Sequence, residues 1–370
     1  MLENLKIKDL RSIKEMDLDL KYMTILTGLN SSGKSTIIGA LNLLNQADND
    51  RIKLNGDYVN FGKIENLLYN WRDGDDKATI EYNFSENNEK LEISTEFSIY
   101  NLITDEEISN QFKNPNSNPI RYLSSDRLSP DWSFDVAASS YKTRDLGAKG
   151  QNSIAYLCQV TENQTFKNSP EVLFVEGLAH ETLERKEDET HLISNINAWL
   201  SVISPGVSIK TEHLRDINKT KLSYSLSTIE GMTPFSVGFG LTHCLPIILM
   251  ILTAKKGDIL VIENPELNLH PEGQLQIGRL IAKAAAQDIQ VIVETHSDHV
   301  VNAARICVKD GTLPLEKLAI KFLQIEKENI HRVTSYQTKD YSVTVLANGK
   351  LKEPPSGFFD TWKKSLLELM

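Results

Sequence analysis

A phosphate-binding loop near the N-terminus is the feature that most constrains this chain. Residues 28–35 read G-x-x-x-x-G-K-S, with Thr36 next. The run Y-M-T-I-L at 22–26 is typical of a strand, and the apolar run at 37–44 is compatible with a helix. A strand, a glycine-rich turn and a helix in this order point backbone N–H groups and the positive end of a helix dipole at a polyphosphate. The pattern predicts a nucleoside triphosphate site in which Lys34 reaches the β- and γ-phosphates and Ser35 binds Mg²⁺.

Composition narrows the class of protein. The 370 residues allow two domains, or one large domain with an insertion. A net charge of −10 and an isoelectric point near 5.4 argue against a broadly basic nucleic-acid surface, although a local basic patch is compatible with them. The three cysteines lie far apart without C-x-x-C spacing. The longest apolar run (244–253) is too short to span a bilayer, and the N-terminus has no signal-peptide core. We expect a cytoplasmic protein with no membrane partner.

The first half of the chain predicts two kinds of structure. Apolar and polar residues alternate at 2–10 and 16–20, and again on both sides of an Asn-rich turn at 77–84 and 90–99, so residues 1–100 are expected to form an antiparallel β-lobe around the nucleotide loop. Residues 101–119 are polar and predict a loop. We interpret 101–205 as a mostly helical insertion, because helical patterns begin near Ser153 and at His191. The segment has no long heptad run, so we expect no coiled-coil arm.

The second half alternates strands and helices. Buried strands are predicted at 258–262 and 289–294, and helices at 240–253, 271–287 and 298–308. This β-α-β order predicts a parallel sheet with helices on both faces, hence an α/β fold. The predicted domains are 1–100, an N-terminal lobe with the nucleotide loop; 101–205, the insertion; 206–310, a C-terminal lobe; and 311–370, a small α+β extension with a strand pair and a final helix.

Polar residues stand at the ends of the two buried strands. Ile-Leu-Val-Ile at 259–262 is followed by Glu263, Asn264, Pro265 and Glu266, and the strand ending at Glu294 is followed by Thr295-His296-Ser297. An apolar strand that ends in a carboxylate is the Walker B pattern, which holds Mg²⁺ in P-loop enzymes. The loop, the carboxylate and the histidine in this order are far more specific for a nucleotide site than any one of them alone.

Several segments resemble ATP-binding-cassette (ABC) ATPases of the SMC-like and overcoming-lysogenization-defect (OLD) branch. The segments are E-N-P-E-L-N-L-H-P at 263–271, T-H-S at 295–297, P-F-S-V-G-F-G at 234–240, D-L-R-S at 9–12 and Y-L-S-S-D-R-L-S-P at 122–130. The tail P-S-G-F-F-D at 355–360 resembles the end of a bacterial family catalogued as a domain of unknown function. The resemblance covers nearly the whole chain and implies an ABC-ATPase head.

The resemblance also implies roles for individual residues. ATP would be bound by the loop and by an arginine before it: Arg11, Gly28, Asn30, Ser31, Ser32, Gly33, Lys34, Ser35 and Thr36. Ser35 and Glu263 would position Mg²⁺, and His296 would be the switch histidine near the γ-phosphate. Ser236 and Gly238 would form the signature motif that contacts the nucleotide of a second subunit, and residues 267–270 the D-loop that reaches across the dimer. Gln46 and the segment 56–62 are both candidates for the Q-loop.

One residue departs from the pattern of the family. The residue after the Walker B carboxylate is usually a glutamate that activates water, and here it is Asn264. An amide orients water but cannot take its proton. The alternatives are that Glu266 or His296 substitutes as a catalytic group, or that hydrolysis is slow. We expect slow turnover and a long-lived ATP-bound dimer.

The resemblance favours a switch over three other functions. In this reading the chain forms an ATP-dependent homodimer or higher oligomer and regulates an effector, for example a nuclease, in bacterial anti-phage defence. OLD relatives carry a TOPRIM nuclease, but only about seventy residues follow Ser297, and Asp340 and Asp360 are isolated, so we expect no nuclease in this chain. A transporter motor would need a membrane partner. A DNA-repair clamp that binds DNA directly is the alternative, ranked lower because of the acidic charge and the lack of long arms.

Overall fold

The structure, a computed structural model, describes residues 1–48, 51–63, 67–69, 77–86, 89–98, 120–136, 144–162, 175, 177–183, 191–330 and 333–369. By internal contacts the chain forms two units, Met1–Ile120 with Pro314–Met370, and Arg121–Leu313. This grouping differs from the four segments drawn from the sequence, which stay a prediction. The loop predicted at 101–119 lies outside the described residues.

The helices and strands are numbered along the chain. The helices are α1 (Lys34–Leu43), α2 (Ser153–Glu162), α3 (Leu192–Ile203), α4 (Phe239–Leu252), α5 (Pro271–Ala286), α6 (Asp298–Lys309) and α7 (Thr361–Leu369). The strands are β1 (Leu2–Leu10), β2 (Ile13–Asp19), β3 (Met23–Gly28), β4 (Ala47–Asp48), β5 (Arg51–Ile52), β6 (Lys77–Glu86), β7 (Glu89–Ser98), β8 (Arg121–Leu123), β9 (Phe134–Asp135), β10 (Val207–Leu214), β11 (Lys219–Leu226), β12 (Ile229–Met232), β13 (Ile259–Glu263), β14 (Gln290–Glu294), β15 (Leu318–Ile330), β16 (Val333–Ser342), β17 (Thr344–Val345) and β18 (Leu351–Lys352).

An antiparallel sheet in the order β2-β1-β6-β7 forms much of the first unit. Its strands follow the alternation in the sequence: Leu5, Ile7 and Leu18 are buried on one face, and Ile80 on β6 is paired with Ile7 on β1. Burying every second side chain while the others face solvent stabilises such a half-exposed sheet. The predicted β-lobe is therefore present.

The strand that carries the nucleotide loop is supported by the C-terminal part of the chain. β3 runs parallel to β15, with Met23 opposite Leu318 and Gly28 opposite Leu323, and β15 pairs with β16 in a long antiparallel ladder. Residues 23–27 are all buried. The strand pair that the sequence assigned to a C-terminal extension therefore lies within the unit that holds the phosphate-binding loop.

A parallel sheet forms the core of the second unit. β13 lies between β14 and β8, with Val261 opposite both Ile292 and Tyr122. The strands are almost entirely buried, as expected for a parallel sheet covered on both faces. β8 was predicted as part of the insertion, and in the structure it is a strand of this core sheet.

The rest of the second unit surrounds this core. Helix α4 is buried from Gly240 to Leu252, and α5 and α6 follow β13 and β14 as the β-α-β order predicts. Strands β10, β11 and β12 form a small antiparallel sheet in this order, with β9 beside β11. Among the described residues, no helix has both the length and the apolar character needed to cross a membrane.

Candidate nucleotide site

Two glycines give the phosphate-binding loop its shape. Gly28 has φ +145°, and a Cβ there would overlap the carbonyl oxygen of Leu323 on the neighbouring strand. Gly33 has φ +93°, and its Cβ would lie 2.7 Å from the hydroxyl oxygen of Thr338. Both positions combine a backbone conformation that L-residues avoid with a close approach of other atoms, so only glycine fits. The loop is therefore fixed by its own unit.

Lys34 folds back over this loop. Its side chain is 3% exposed, and Nζ donates to the carbonyl oxygens of Gly28 at 3.1 Å and Leu29 at 2.8 Å. Helix α1 begins at Lys34 with no capping side chain and no acidic residue in its first turn. Its N–H groups and dipole are thus suited to an anion. Asn30, Ser31 and Ser35 are exposed at the loop, whereas Ser32 and Thr36 are buried.

Arg11 lies in the same unit as the loop. Its guanidinium is 4.7 Å from the centre of the Phe61 ring, and burial lowers the pKa of Arg11. The two Q-loop candidates prove to be one local structure, because Gln46 Oε1 accepts hydrogen bonds from the backbone N–H groups of Tyr58 and Val59. This contact fastens the segment 56–62 to the end of α1 and does not choose between the candidates.

In the second unit, the predicted Walker B carboxylate, Glu263, is held by a segment 138 to 141 residues earlier in the sequence. Tyr122 donates its hydroxyl to Glu263 Oε1 at 2.9 Å, and the backbone N–H of Ser125 donates to Oε2 at 3.1 Å. Burial, and then the Glu263 carboxylate, raises the pKa of Tyr122 above its ordinary value. Each carboxylate oxygen has a second lone pair, so Glu263 still suits a hard cation such as Mg²⁺.

Arg127 fixes the turn after Glu263. Its side chain is 2% exposed, and within the described part of the chain it donates to main-chain carbonyl oxygens, those of Ser124 (2.9 Å), Asn264 (2.7 Å), His243 (3.3 Å) and Glu263. Burial lowers the pKa of Arg127 to about 10, so the guanidinium stays charged at neutral pH. Because His243 lies on α4, Arg127 ties this helix to the turn after β13. The segment 122–130 resembles the family in sequence, but its sequence alone indicates no role for Tyr122 or Arg127.

The turn after β13 uses left-handed backbone at two asparagines. Asn264 has φ +40° and Asn268 has φ +60°. The backbone N–H of Asn264 donates to the carbonyl oxygen of Glu294 at 2.8 Å, which ties the ends of β13 and β14 together. Asparagine occupies this conformation more readily than most residues. The Asn side chains are therefore favoured by the backbone of the turn.

Glu266 brings the two strand ends into one cluster. Its Oε2 accepts from the Thr295 hydroxyl at 2.7 Å, and its Oε1 accepts from the backbone N–H of His296 at 2.8 Å. The amide of Asn264 lies 3.4 Å from the same Oε1. The structure thus places Glu263, Asn264, Glu266 and His296 together at the carboxyl ends of the parallel strands, where sequence reasoning expected them.

The signature segment precedes α4. Ser236 is exposed, with its hydroxyl 3.1 Å from that of Thr233, and Gly238 is the N-cap of α4. A Cβ at Gly240 would overlap the carbonyl oxygen of Asn268, so the first turn of α4 packs on the D-loop. His243 Nδ1 accepts from the Asn268 amide at 3.1 Å, and burial, with Arg127, lowers the pKa of His243. The helix after the predicted signature motif and the predicted D-loop therefore pack together in this unit.

Each group of predicted site residues lies within one unit. Arg11 and the residues 28–36 belong to the first, and Ser236, Gly238, Glu263, Asn264, Glu266 and His296 to the second. Their individual roles toward a nucleotide stay predictions.

A sequence-family profile described as "AAA domain, putative AbiEii toxin, Type IV TA system" matches residues 23–302. The Old nuclease of Escherichia phage P2 is 23% identical over 399 residues, covering 93% of this chain and 66% of the phage protein, so the chain spans just under two thirds of that relative. The SMC head solved in complex with the C-winged helix domain of ScpA has a TM-score of 0.54 and 14% identity, covering 92% of this chain and 97% of that one.

The fold is that of an SMC-like ABC-ATPase head, and the sequence is similar to an OLD nuclease. The predicted fold class is confirmed. Because the profile covers most of its length, the chain belongs to the AAA-domain family described above. ATPases of this family use a nucleoside triphosphate, usually with Mg²⁺.

Proposed function

We propose that this chain is an ATP-operated switch in which two copies close on two ATP molecules and regulate or scaffold an effector. Gly238 is the observation that carries the proposal. It has φ −64° and ψ 139°, which any L-residue adopts, and a Cβ there would meet nothing within 4 Å in this chain. Unlike Gly28 and Gly33, it is not required by its own unit. A glycine at an uncapped helix start beside Ser236 supports close approach by a phosphate bound to a second copy.

The two nucleotide half-sites have complementary roles in this proposal. The loop N–H groups, Lys34 and Arg11 bind the phosphates in one copy, and Ser236 with Gly238 completes the site from the other. Ser35 and Glu263 supply oxygen donors for Mg²⁺, which neutralises phosphate charge when it is bound. His296 senses the γ-phosphate, and Tyr122 and Arg127 keep Glu263 in one orientation.

Hydrolysis is slow in this proposal, because the residue after Glu263 is an amide. Asn264 can orient a water molecule but cannot accept its proton. A slow ATPase keeps the closed dimer assembled for longer than a fast one, which suits a switch better than a motor.

The closed dimer is tested by a charge at Gly238. Adding Mg²⁺ and ATP is expected to double the solution mass of the purified chain, measured by light scattering, and Gly238→Asp is expected to abolish the increase while ATP still binds. The new side chain has open space and an allowed backbone, so the fold is preserved. Its carboxylate would repel the phosphate of the partner's nucleotide.

Two variants control this experiment. Thr228→Asp adds the same charge at an exposed turn of the same unit and should dimerise normally. Lys34→Ala should lose both ATP binding and the increase in mass. A Gly238→Asp variant that dimerises like the unaltered chain would contradict the role of Gly238 across the dimer.

The effector of this switch is proposed to be a nuclease in anti-phage defence. The support is the similarity to a phage protein named Old nuclease and the family description, which names a toxin of a Type IV toxin–antitoxin system. Affinity purification of the tagged chain from its host, followed by mass spectrometry, is expected to recover a nuclease in stoichiometric amount. Recovery of nucleic acid with no stoichiometric protein would favour a DNA clamp instead.

A further inference from the structure

The carboxylate of Glu266 is engaged with the turn that carries the predicted switch histidine. Oε1 accepts from the backbone N–H of His296 at 2.8 Å, and Oε2 accepts from the hydroxyl of Thr295 at 2.7 Å. Thr295 is fully buried. Hydrogen bonds from two consecutive residues fix the position of a turn far better than one would, because they restrain both translation and rotation.

The same turn is held at its other end. The Thr295 hydroxyl accepts from the backbone N–H of Ser297 at 3.0 Å. Ser297 donates to Gln274 Oε1 at 2.6 Å and caps α6 by accepting from the N–H groups of His299 and Val300. The segment 295–297 therefore has a defined conformation between Glu266 and α6, while the His296 side chain itself is exposed.

A general base must offer a lone pair to the water molecule that it deprotonates. Both oxygens of Glu266 already accept from the switch turn, and Asn264 approaches Oε1 as well. The remaining lone pair on Oε2 could take a proton, but protonation would remove the negative charge that strengthens the hydrogen bonds from Thr295 and His296 and would loosen the turn. The geometry is that of a support for the turn.

We infer that Glu266 is a positioning residue: its carboxylate places His296 by holding the main chain of residues 295–296, and it does not take the proton of the attacking water. This inference rests on the proposed ATPase switch. Glu266 also begins the turn that leads into the D-loop, so it links the D-loop directly to the switch turn within one unit.

Four variants separate support from proton transfer. Glu266→Gln keeps an oxygen that accepts from the His296 N–H, and the Thr295 hydroxyl can turn to accept from the new amide. We expect Glu266→Gln to hydrolyse ATP within about threefold of the unaltered chain, and Glu266→Ala to lose roughly 10- to 100-fold. The rate of ATP hydrolysis should fall by an intermediate factor in Thr295→Val and should be restored in Thr295→Ser, which keeps the hydroxyl. Loss of a general base would instead lower the rate by about 10²- to 10⁴-fold in Glu266→Gln as well.

Hydrogen exchange supplies a readout that does not need hydrolysis. In the chain without nucleotide, peptides covering 291–299 should exchange at the normal rate in Glu266→Gln and faster in Glu266→Ala, because the His296 N–H loses its acceptor. Unchanged exchange in Glu266→Ala, or a Glu266→Gln variant as inactive as Glu266→Ala, would overturn the inference. Failure of the proposed switch would show separately, as an absent ATP-dependent change in mass with the exchange result intact.

Discussion

Replacing Arg127 with methionine is expected to lower the free energy of unfolding by about 4 kcal/mol. The guanidinium is buried and serves four main-chain carbonyl oxygens, from Ser124, His243, Glu263 and Asn264. Methionine has similar length and fills the space, but it removes these hydrogen bonds. The Asn264 carbonyl oxygen keeps the backbone N–H of Leu267 as a donor, whereas each buried acceptor that keeps no donor costs about 1–3 kcal/mol. Urea unfolding followed by fluorescence measures the change, and ATP turnover should fall with it because Glu263 loses its support.

A nearby exposed cation provides the matched control. Lys149 pairs with Asp126 at the surface, where the two side chains are 62% and 75% exposed. Lys149→Met should therefore change stability by less than about 0.5 kcal/mol. The loss of stability in Arg127→Lys should lie between those of Arg127→Met and Lys149→Met, since one ammonium cannot reach all four carbonyl oxygens. If Arg127→Met unfolds like Lys149→Met, the guanidinium does not hold the turn.

Local patterns in the sequence predicted most elements and most candidate site residues. The phosphate-binding loop, β13 with Glu263, and β14 with His296 are each encoded within a few residues, by apolar runs that end at glycine or polar residues. Their positions in the structure agree closely with the sequence patterns. Within the second unit, parallel pairing of β13 and β14 then brings the two strand ends together.

Contacts between distant segments could not be predicted in this way. The pairing of β3 with β15 joins residues almost 300 positions apart, and no periodicity shows which strands become neighbours. The same limit hid the roles of Tyr122 and Arg127, whose partners on α4 and at the end of β13 lie 116 to 141 residues later in the chain. From the sequence alone, an arginine just after a short strand is expected at the surface, because its buried acceptors cannot be identified.

At Asn264, the sequence indicates the chemistry of the side chain but not the conformation of the backbone. In the sequence, the residue is notable only because it is an asparagine where the family usually has a glutamate. The structure shows that it has φ +40°, with its N–H bound to Glu294 and its carbonyl oxygen bound to Arg127. Asparagine is one of the few residues that adopt this conformation readily. The turn and the proposed slow chemistry are therefore compatible with the same side chain.

Replacing Asn264 with glutamate is expected to raise the rate of ATP hydrolysis by about 100-fold, the lower end of the usual effect of a general base. The carboxylate would stand where the amide is proposed to orient water, and it could accept the proton. The same change should cost about 1 kcal/mol of stability, because glutamate is less suited to the left-handed backbone. Steady-state phosphate release measures the first effect and urea unfolding the second.

Asn264→Gln separates these two effects, because glutamine has the length and the backbone strain of glutamate without its basicity. It should match Asn264→Glu in stability and show no gain in rate. The ATP-dependent dimer should also dissociate sooner in Asn264→Glu than in the unaltered chain, since hydrolysis removes the γ-phosphate that holds it. An unaltered chain that already turns over as fast as Asn264→Glu would contradict the slow switch. An equal gain in Asn264→Gln would assign the effect to the backbone of the turn and not to proton transfer.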